Sequence, residues 1–238
     1  EIVEEEKPEA RDGMMLVRME RVAVCGTDMG HFCGITPPYP MPPGRPGHEG
    51  IGIVEDCPSD AFEKGKRVLL YGSDRGLYQE YVLAQPDGCI CLPTGVEPEV
   101  VLMSQLLGTI IHCFYKLGNL INQKVVVLGQ GAVGLLFCAV LRNLGVKQII
   151  GVDPLGYRLE VSRKMGATHI INPFESDVVE AVRDITGGTL ADVVVEAVGL
   201  EATLNQCVKL ARHSGTIVYF GVPMRENAEG VMKLRFGD

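Results

Sequence analysis

The chain contains no long hydrophobic run. Its apolar stretches are short and broken by glycine, which excludes a membrane-spanning helix, because about 20 consecutive apolar residues are needed to cross a bilayer. No secretory signal pattern is legible either. Positive charge is scarce: 22 Lys and Arg stand against 30 Asp and Glu, a net charge of −8. With no basic face to neutralise phosphates, an electrostatic nucleic-acid partner is excluded. The cysteines Cys25, Cys33, Cys57, Cys89, Cys91, Cys113, Cys138 and Cys207 lack the spacing of a disulfide framework, and several fall inside apolar strand or helix patterns. Reduced thiols and a cytoplasmic location are therefore expected. Internal repeats and low-complexity segments are also missing. What remains is the composition of a soluble globular protein, 46% hydrophobic and 22% charged, and its 238 residues are enough for two domains and a substantial core. The acidic run Glu4-Glu5-Glu6 reads as a solvated segment.

The most informative stretch is Lys124 to Asp153. Val125 to Leu128 reads as a strand, Gly129-Gln-Gly131-Ala-Val-Gly134 as a glycine turn, and Val133 to Leu144 as an apolar helix; a second strand, Gln148 to Val152, ends on Asp153. This is a βαβ unit with an acidic residue about 20 positions beyond the glycines, the dinucleotide-binding arrangement. Gly129 permits a sharp turn, Gly131 leaves room for a pyrophosphate, and Gly134 allows the helix to pack closely on the sheet. The helix N-terminus at Ala132 and Val133 offers N–H groups and a positive dipole end to phosphates. Asp153 can accept hydrogen bonds from both ribose hydroxyls while repelling a 2′-phosphate, so NAD(H) is expected in preference to NADP(H).

Before this unit, Met14 to Val24 reads as extended, the proline-rich stretch Gly30 to Gly47 as loop, and His48-Glu49 as the opening of a further strand. Short strands at Arg67 to Tyr71, Tyr78 to Ala84 and Cys89 to Leu92 suggest a small β-barrel-like domain. Pro98, flanked by Glu97 and Glu99, marks the start of connecting helices that run to about Leu117. After Asp153 the pattern alternates. Helices are expected near Tyr157 to Met165, Asp177 to Ile185 and Ala202 to Ala211, and strands at His169 to Ile171, Ala191 to Val198 and Thr216 to Phe220. The expected fold class is α/β, a doubly wound parallel sheet of strand order 3-2-1-4-5.

Cys25 and the His48-Glu49 pair lie near strand ends, among glycines. Thiolate, imidazole and carboxylate are the donor types of a catalytic zinc with one open position, and Asp28 is suited to hold the spare ring N–H of His48. Cys and His at this separation make no stand-alone zinc signature, and a buried thiol beside a hydrogen-bonded histidine is the competing account.

Several words of the sequence bear on that choice. Cys25-Gly-Thr-Asp28, Gly47-His-Glu-Gly50 followed by Gly52, Gly76-Leu-Tyr-Gln-Glu-Tyr81 and the glycine turn occur in the order found in the zinc-dependent medium-chain dehydrogenases, and the chain resembles that alcohol and polyol dehydrogenase family over nearly its whole length. The resemblance implies a GroES-like catalytic domain over 1–96 and a Rossmann dinucleotide-binding domain with its connecting helices over 97–238. It also makes Cys25 and His48 zinc ligands, Glu49 an adjacent carboxylate that ligates directly or in an alternative state, Thr27 the hydroxyl that passes the substrate's proton onward, and Asp28 the partner of the histidine. Zinc would acidify a bound alcohol as it acidifies bound water, and the nicotinamide would take the hydride.

Three departures from the family pattern stand out. Gln105 occupies the place of a further ligand, usually Cys or Glu; it could bind through its carbonyl, hold a water, or leave Glu49 to complete the site. No cysteine lies between Tyr71 and Tyr81, so one catalytic and no structural zinc is expected. The chain lacks a start methionine and ends at Asp238, soon after the fifth sheet strand, so it is expected to be short at its C-terminus; a homodimer or homotetramer is the family's habit.

Among lesser candidates, Arg158 could brace the adenosine side, Val198 and Gly199 line the nicotinamide side, and Glu196 be satisfied by backbone. His31 reads as a loop histidine and His112 as packed between helices. The leading expectation is hydride transfer between a secondary alcohol, polyol or sugar and NAD. A zinc-independent quinone or enone reductase and a non-catalytic NAD(H)-binding protein are the alternatives.

Overall fold

The computed structural model describes residues 2–42, 45–71 and 76–222. The chain divides into two compact units, Glu1–Gly108 and Thr109–Asp238.

The first unit is built on an antiparallel sheet of β1 (Met15–Ala23), β2 (Glu49–Asp56), β3 (Arg67–Leu70), β4 (Tyr81–Ala84) and β5 (Cys89–Cys91), in the order β4-β1-β2-β3-β5. Met15, Val17, Val54, Val68, Leu70, Leu77 and Val82 form one buried cluster. A second cluster of Ile51, Leu69 and Leu92 takes in Val101 from α2 (Pro98–Leu102). That packing keeps α2 with the first unit, although Pro98 lies beyond the sequence boundary at 96. A bidentate ion pair between Arg67 and Glu20, with N···O distances of 2.7 and 3.0 Å, holds β3 to β1, and Arg67 also donates to the Val96 carbonyl. Gly52 is needed at the crossing of β2 and β1, since a Cβ there would lie 2.7 Å from the Arg18 carbonyl oxygen.

The sequence predicts a loop over Gly30 to Gly47 and no element at Cys25 to Asp28. The structure instead has a helix, α1 (Gly26–Phe32), directly after β1. Glycines at 26 and 30 hide it from propensity. Local bonds compensate: Cys25 N–H donates to Asp28 Oδ2 at 2.8 Å, and the Gly30 carbonyl accepts from both Ile35 and Thr36 N–H.

The second unit is a parallel sheet of β6 (Lys124–Leu128), β7 (Gln148–Val152), β8 (His169–Ile171), β9 (Ala191–Glu196) and β10 (Ala211–Tyr219), in the order β10-β9-β6-β7-β8. This is the expected 3-2-1-4-5 order. Helices α4 (Ala132–Asn143), α5 (Gly156–Met165), α6 (Val178–Thr186) and α7 (Glu201–Leu210) connect the strands, and α3 (Ser104–Phe114) precedes them. Val126 and Leu128 of β6 and Ile150 and Val152 of β7 share a cluster with Val178 and Val182 of α6 and Cys207 and Leu210 of α7. Val125 and Val127 are equally buried, so β6 is apolar on both faces, as a parallel sheet covered by helices requires. Helix ends follow local chemistry: the Asp177 side chain caps α6 by accepting from Glu180 N–H, and Gly187 closes it with a left-handed φ of 66°.

Two smaller expectations change. β10 begins at Ala211, earlier than Thr216, and its register on β9 is irregular between those residues. His112 is exposed on α3, whose buried residue is Ile110; on a helix, neighbours two apart point in different directions. No helix among the described residues is long and apolar enough to cross a membrane.

Candidate functional site

In the first unit the end of β1, the start of α1 and the start of β2 meet. Cys25 precedes α1 and His48 precedes β2, so antiparallel pairing of Ala23 with Glu49 brings together residues far apart in sequence. Ligand atoms of Cys25, His48 and Glu49 all lie within 4.8 Å of one another. His48 Nε2 is 3.9 Å from Glu49 Oε1 and 3.5 Å from Thr27 Oγ1. Tetrahedral zinc with bonds of roughly 2.0–2.3 Å needs ligand atoms about 3.3–3.8 Å apart, a contraction that side-chain rotation can supply. The donor set is soft thiolate, imidazole and carboxylate, which suits zinc. The structure therefore brings Cys25, Thr27, His48 and Glu49 together. Gln105 is partly buried in the first turn of α3.

Asp28 stands behind the histidine. Its Oδ1 is 3.6 Å from His48 Nδ1, ion-pair range but long for a hydrogen bond. Its Oδ2 accepts from Cys25 N–H and from the Tyr78 hydroxyl, each at 2.8 Å. Burial, and then the hydrogen bond to Asp28, push the Tyr78 hydroxyl above the ordinary tyrosine range, so it stays a donor. Tyr78 was legible only as part of a family motif, without a role. His31, expected in a loop, lies instead in the last turn of α1, with Nδ1 3.1 Å from the Thr36 carbonyl oxygen. The stretch between Tyr71 and Tyr81, where no structural-zinc lobe is expected, includes residues 72–75, which lie outside the described residues.

In the second unit β6 runs into the glycine turn. Gly129 has φ +88°, and a Cβ on it would lie 2.7 Å from Val198 Cγ2; Val198 therefore borders the turn. A Cβ on Gly134 would run into the Gly129 carbonyl oxygen, whereas one on Gly131 would meet open space. Ala132 and Val133 begin α4, whose first N–H groups have no intrahelical partner and suit an anion. The turn is thus tight where helix meets strand and open where a phosphate would approach.

Asp153, 3% exposed, directly follows β7. It accepts from Gln130 N–H at 2.8 Å and Leu155 N–H at 2.9 Å, and Arg158 Nη1 lies 3.5 Å away. Sequence reasoning missed Gln130, which is fully buried. Its amide donates to the Val127 carbonyl at 2.9 Å and accepts from Ser162 Oγ at 2.7 Å. The available signal was Gly151 within strand β7: a Cβ there would lie 2.6 Å from Ser162 Oγ and 3.1 Å from Gln130 Cδ. Glu196 is satisfied internally, as expected, accepting from Val198 and Gly199 N–H and from Thr203 Oγ1.

Comparison with known proteins finds a match for each of these two stretches. The description "Alcohol dehydrogenase GroES-like domain" matches residues 11–94, and "Zinc-binding dehydrogenase" matches 132–236. L-threonine 3-dehydrogenase of Pyrococcus horikoshii is 28% identical, over 93% of this chain and 72% of its own. Among solved structures, the alcohol dehydrogenase TADH from Thermus sp. ATN1 has a TM-score of 0.85 at 25% identity, covering 99% of this chain and 76% of that one. Escherichia coli quinone oxidoreductase complexed with NADPH has a TM-score of 0.83 at 27% identity, covering 92% and 68%. One description falls on each compact unit, in the order of the motifs, and the chain belongs to the zinc-dependent medium-chain dehydrogenase family.

Proposed function

We propose that this protein is a dehydrogenase that transfers hydride between NAD and a secondary hydroxyl of an alcohol, polyol or sugar, with one zinc held by Cys25, His48 and Glu49. The convergence of those three donors within 4.8 Å, with the Thr27 hydroxyl beside them, carries this reading. The relatives named L-threonine 3-dehydrogenase and alcohol dehydrogenase support a hydroxyl substrate; L-threonine carries a secondary hydroxyl at carbon 3.

When bound, zinc supplies Lewis acidity that lowers the pKa of a coordinated hydroxyl, and NAD supplies the hydride acceptor. The residues do the rest. Cys25 and Glu49 bring negative charge to the metal. Asp28 orients the imidazole of His48 through its Nδ1 side. Thr27 Oγ1 is placed to take the substrate's proton and pass it on. The turn at Gly129, Gly131 and Gly134, with the start of α4 at Ala132 and Val133, receives the pyrophosphate, and Asp153 takes the adenosine ribose. Arg158 braces that side, while Val198 and Gly199 border the nicotinamide end.

Metal analysis joined to a substrate panel tests the proposal. Protein prepared without chelators should contain one zinc per chain and reduce NAD with at least one secondary alcohol, polyol or sugar. Chelation should abolish the activity and zinc should restore it. Absence of both zinc and NAD reduction would sink the reading. The likeness to a quinone oxidoreductase, together with Gln105 at a position where the family usually has Cys or Glu, favours a second reading as a zinc-independent quinone or enone reductase. Chelator-insensitive reduction of a quinone or enone would decide for it.

A further inference from the structure

The motif Gly76-Leu-Tyr-Gln-Glu-Tyr81 has no role in the chemistry above, yet it lies against the site. Leu77 N–H donates to the Gly47 carbonyl at 3.1 Å and Tyr78 N–H to the Pro46 carbonyl at 3.2 Å. The segment therefore runs beside the residues that lead into His48. Gly76 can approach only because it has no side chain, since a Cβ there would lie 2.6 Å from the Arg45 carbonyl oxygen. Leu77 anchors the segment in the core at 1% exposure.

Gly47 has φ +90°, and a Cβ on it would come within 2.8 Å of Tyr78 Cδ1. The missing side chain leaves room for the tyrosine ring immediately before the histidine. From there the hydroxyl is 2.8 Å from Asp28 Oδ2 and 3.1 Å from the Ala23 carbonyl oxygen. Asp28 Oδ2 thus receives two donors, Tyr78 Oη–H and Cys25 N–H. A carboxylate gripped through one oxygen has little freedom to rotate, and its other oxygen, Oδ1, is the one that faces His48 Nδ1.

We propose that Tyr78 is a positioning residue of the metal site: its hydroxyl holds Asp28 Oδ2 so that Oδ1 stays opposite His48 Nδ1, presenting Nε2 towards Cys25 and Glu49. This rests on the zinc reading above and adds to it a residue that touches neither metal nor substrate. Groups that orient a ligating histidine typically change metal affinity by about 10–100-fold when lost. Tyr78 acts one contact further out, and a smaller effect of about 3–10-fold is expected.

The test compares the parent protein with Tyr78→Phe, Asp28→Asn and the double variant. Phenylalanine keeps the ring over Gly47 and removes only the hydroxyl. The zinc dissociation constant is measured by competition with a chromophoric chelator at fixed pH, and the visible spectrum of the cobalt-substituted protein reports ligand geometry. Tyr78→Phe should weaken zinc about 3–10-fold and shift the cobalt bands, with the melting temperature of the metal-free protein unchanged. In the Asp28→Asn background the same substitution should add little, because its route to the metal is already cut. Zinc affinity and cobalt bands equal to the parent's, or full additivity in the double variant, would overturn the inference while leaving the zinc reading intact. A parent protein that binds no zinc would overturn both.

Discussion

Gln130 N–H donates to Asp153 Oδ2 at 2.8 Å, making the glycine turn after β6 and the acidic residue after β7 a single hydrogen-bonded unit. The carboxylate that would meet the ribose is thus held by the same turn that would meet the pyrophosphate. Leu155 N–H fixes its other oxygen at 2.9 Å.

Cofactor choice should follow from that geometry. In Asp153→Ser the charge that repels a 2′-phosphate is gone, and Arg158, now 3.5 Å from the carboxylate, is free to pair with it. NADH should bind more weakly and NADPH more tightly, narrowing the preference by about tenfold or more, the scale of a lost charged hydrogen bond. Fluorescence titration with both reduced cofactors measures it. An unchanged ratio of dissociation constants would remove Asp153 from the account of specificity.

Gly151 should resist substitution because of what lies beneath it. In Gly151→Ala the new methyl would sit 2.6 Å from Ser162 Oγ, an overpacking that costs about 1–3 kcal/mol. Adding Ser162→Ala removes the clashing oxygen, and the double variant should be less destabilised than the sum of the singles. Denaturant melts of the four proteins give the comparison; strict additivity would mean that the two residues do not touch.

Glu196 is fully buried and accepts from Val198 N–H, Gly199 N–H and Thr203 Oγ1. Glu196→Gln would turn an amide N–H₂ towards donors, and should cost about 1–3 kcal/mol through an unsatisfied buried group. The damage should concentrate in residues 197–199, where hydrogen exchange would quicken before the rest of the sheet. Unchanged exchange in that loop would argue that the glutamate does not hold it.

Alkaline pH should weaken the second unit. Burial pushes the Cys138 thiol to about 11 and, with Glu196 adding to it, the Cys207 thiol to about 12, from an ordinary 9.0. These thiols keep their protons longer when folded. Their contribution is complete below pH 9.0 and is lost as pH rises from there towards about 12. The loss is at most about 1.4 kcal/mol per pH unit for each thiol. Denaturation midpoints across this range, compared with those of Cys138→Ala and Cys207→Ala, should show flatter alkaline slopes in the variants; parallel curves would contradict this origin.

The amino-acid sequence by itself determined the second unit almost completely. Strand, turn and helix from Val125 to Leu144 are written in near neighbours, β7 falls on Gln148–Val152 as expected, and right-handed crossovers leave little choice but the observed strand order. Only the tertiary structure decided the rest. Propensity argued against α1, because Gly26 and Gly30 are poor helix formers, and the bond between Cys25 and Asp28 that offsets them is specific to the folded loop. His48 and Cys25 resembled ligands as words, but their convergence depends on β1 pairing with β2 across the intervening segment. Tyr78 and Gln130 show the same limit more sharply, since each matters through a partner, Asp28 in one case and Asp153 with Ser162 in the other, that no local pattern connects to it. Periodicity and turn chemistry act over a few residues, whereas which side chains face one another across distant strands is settled by packing the whole unit.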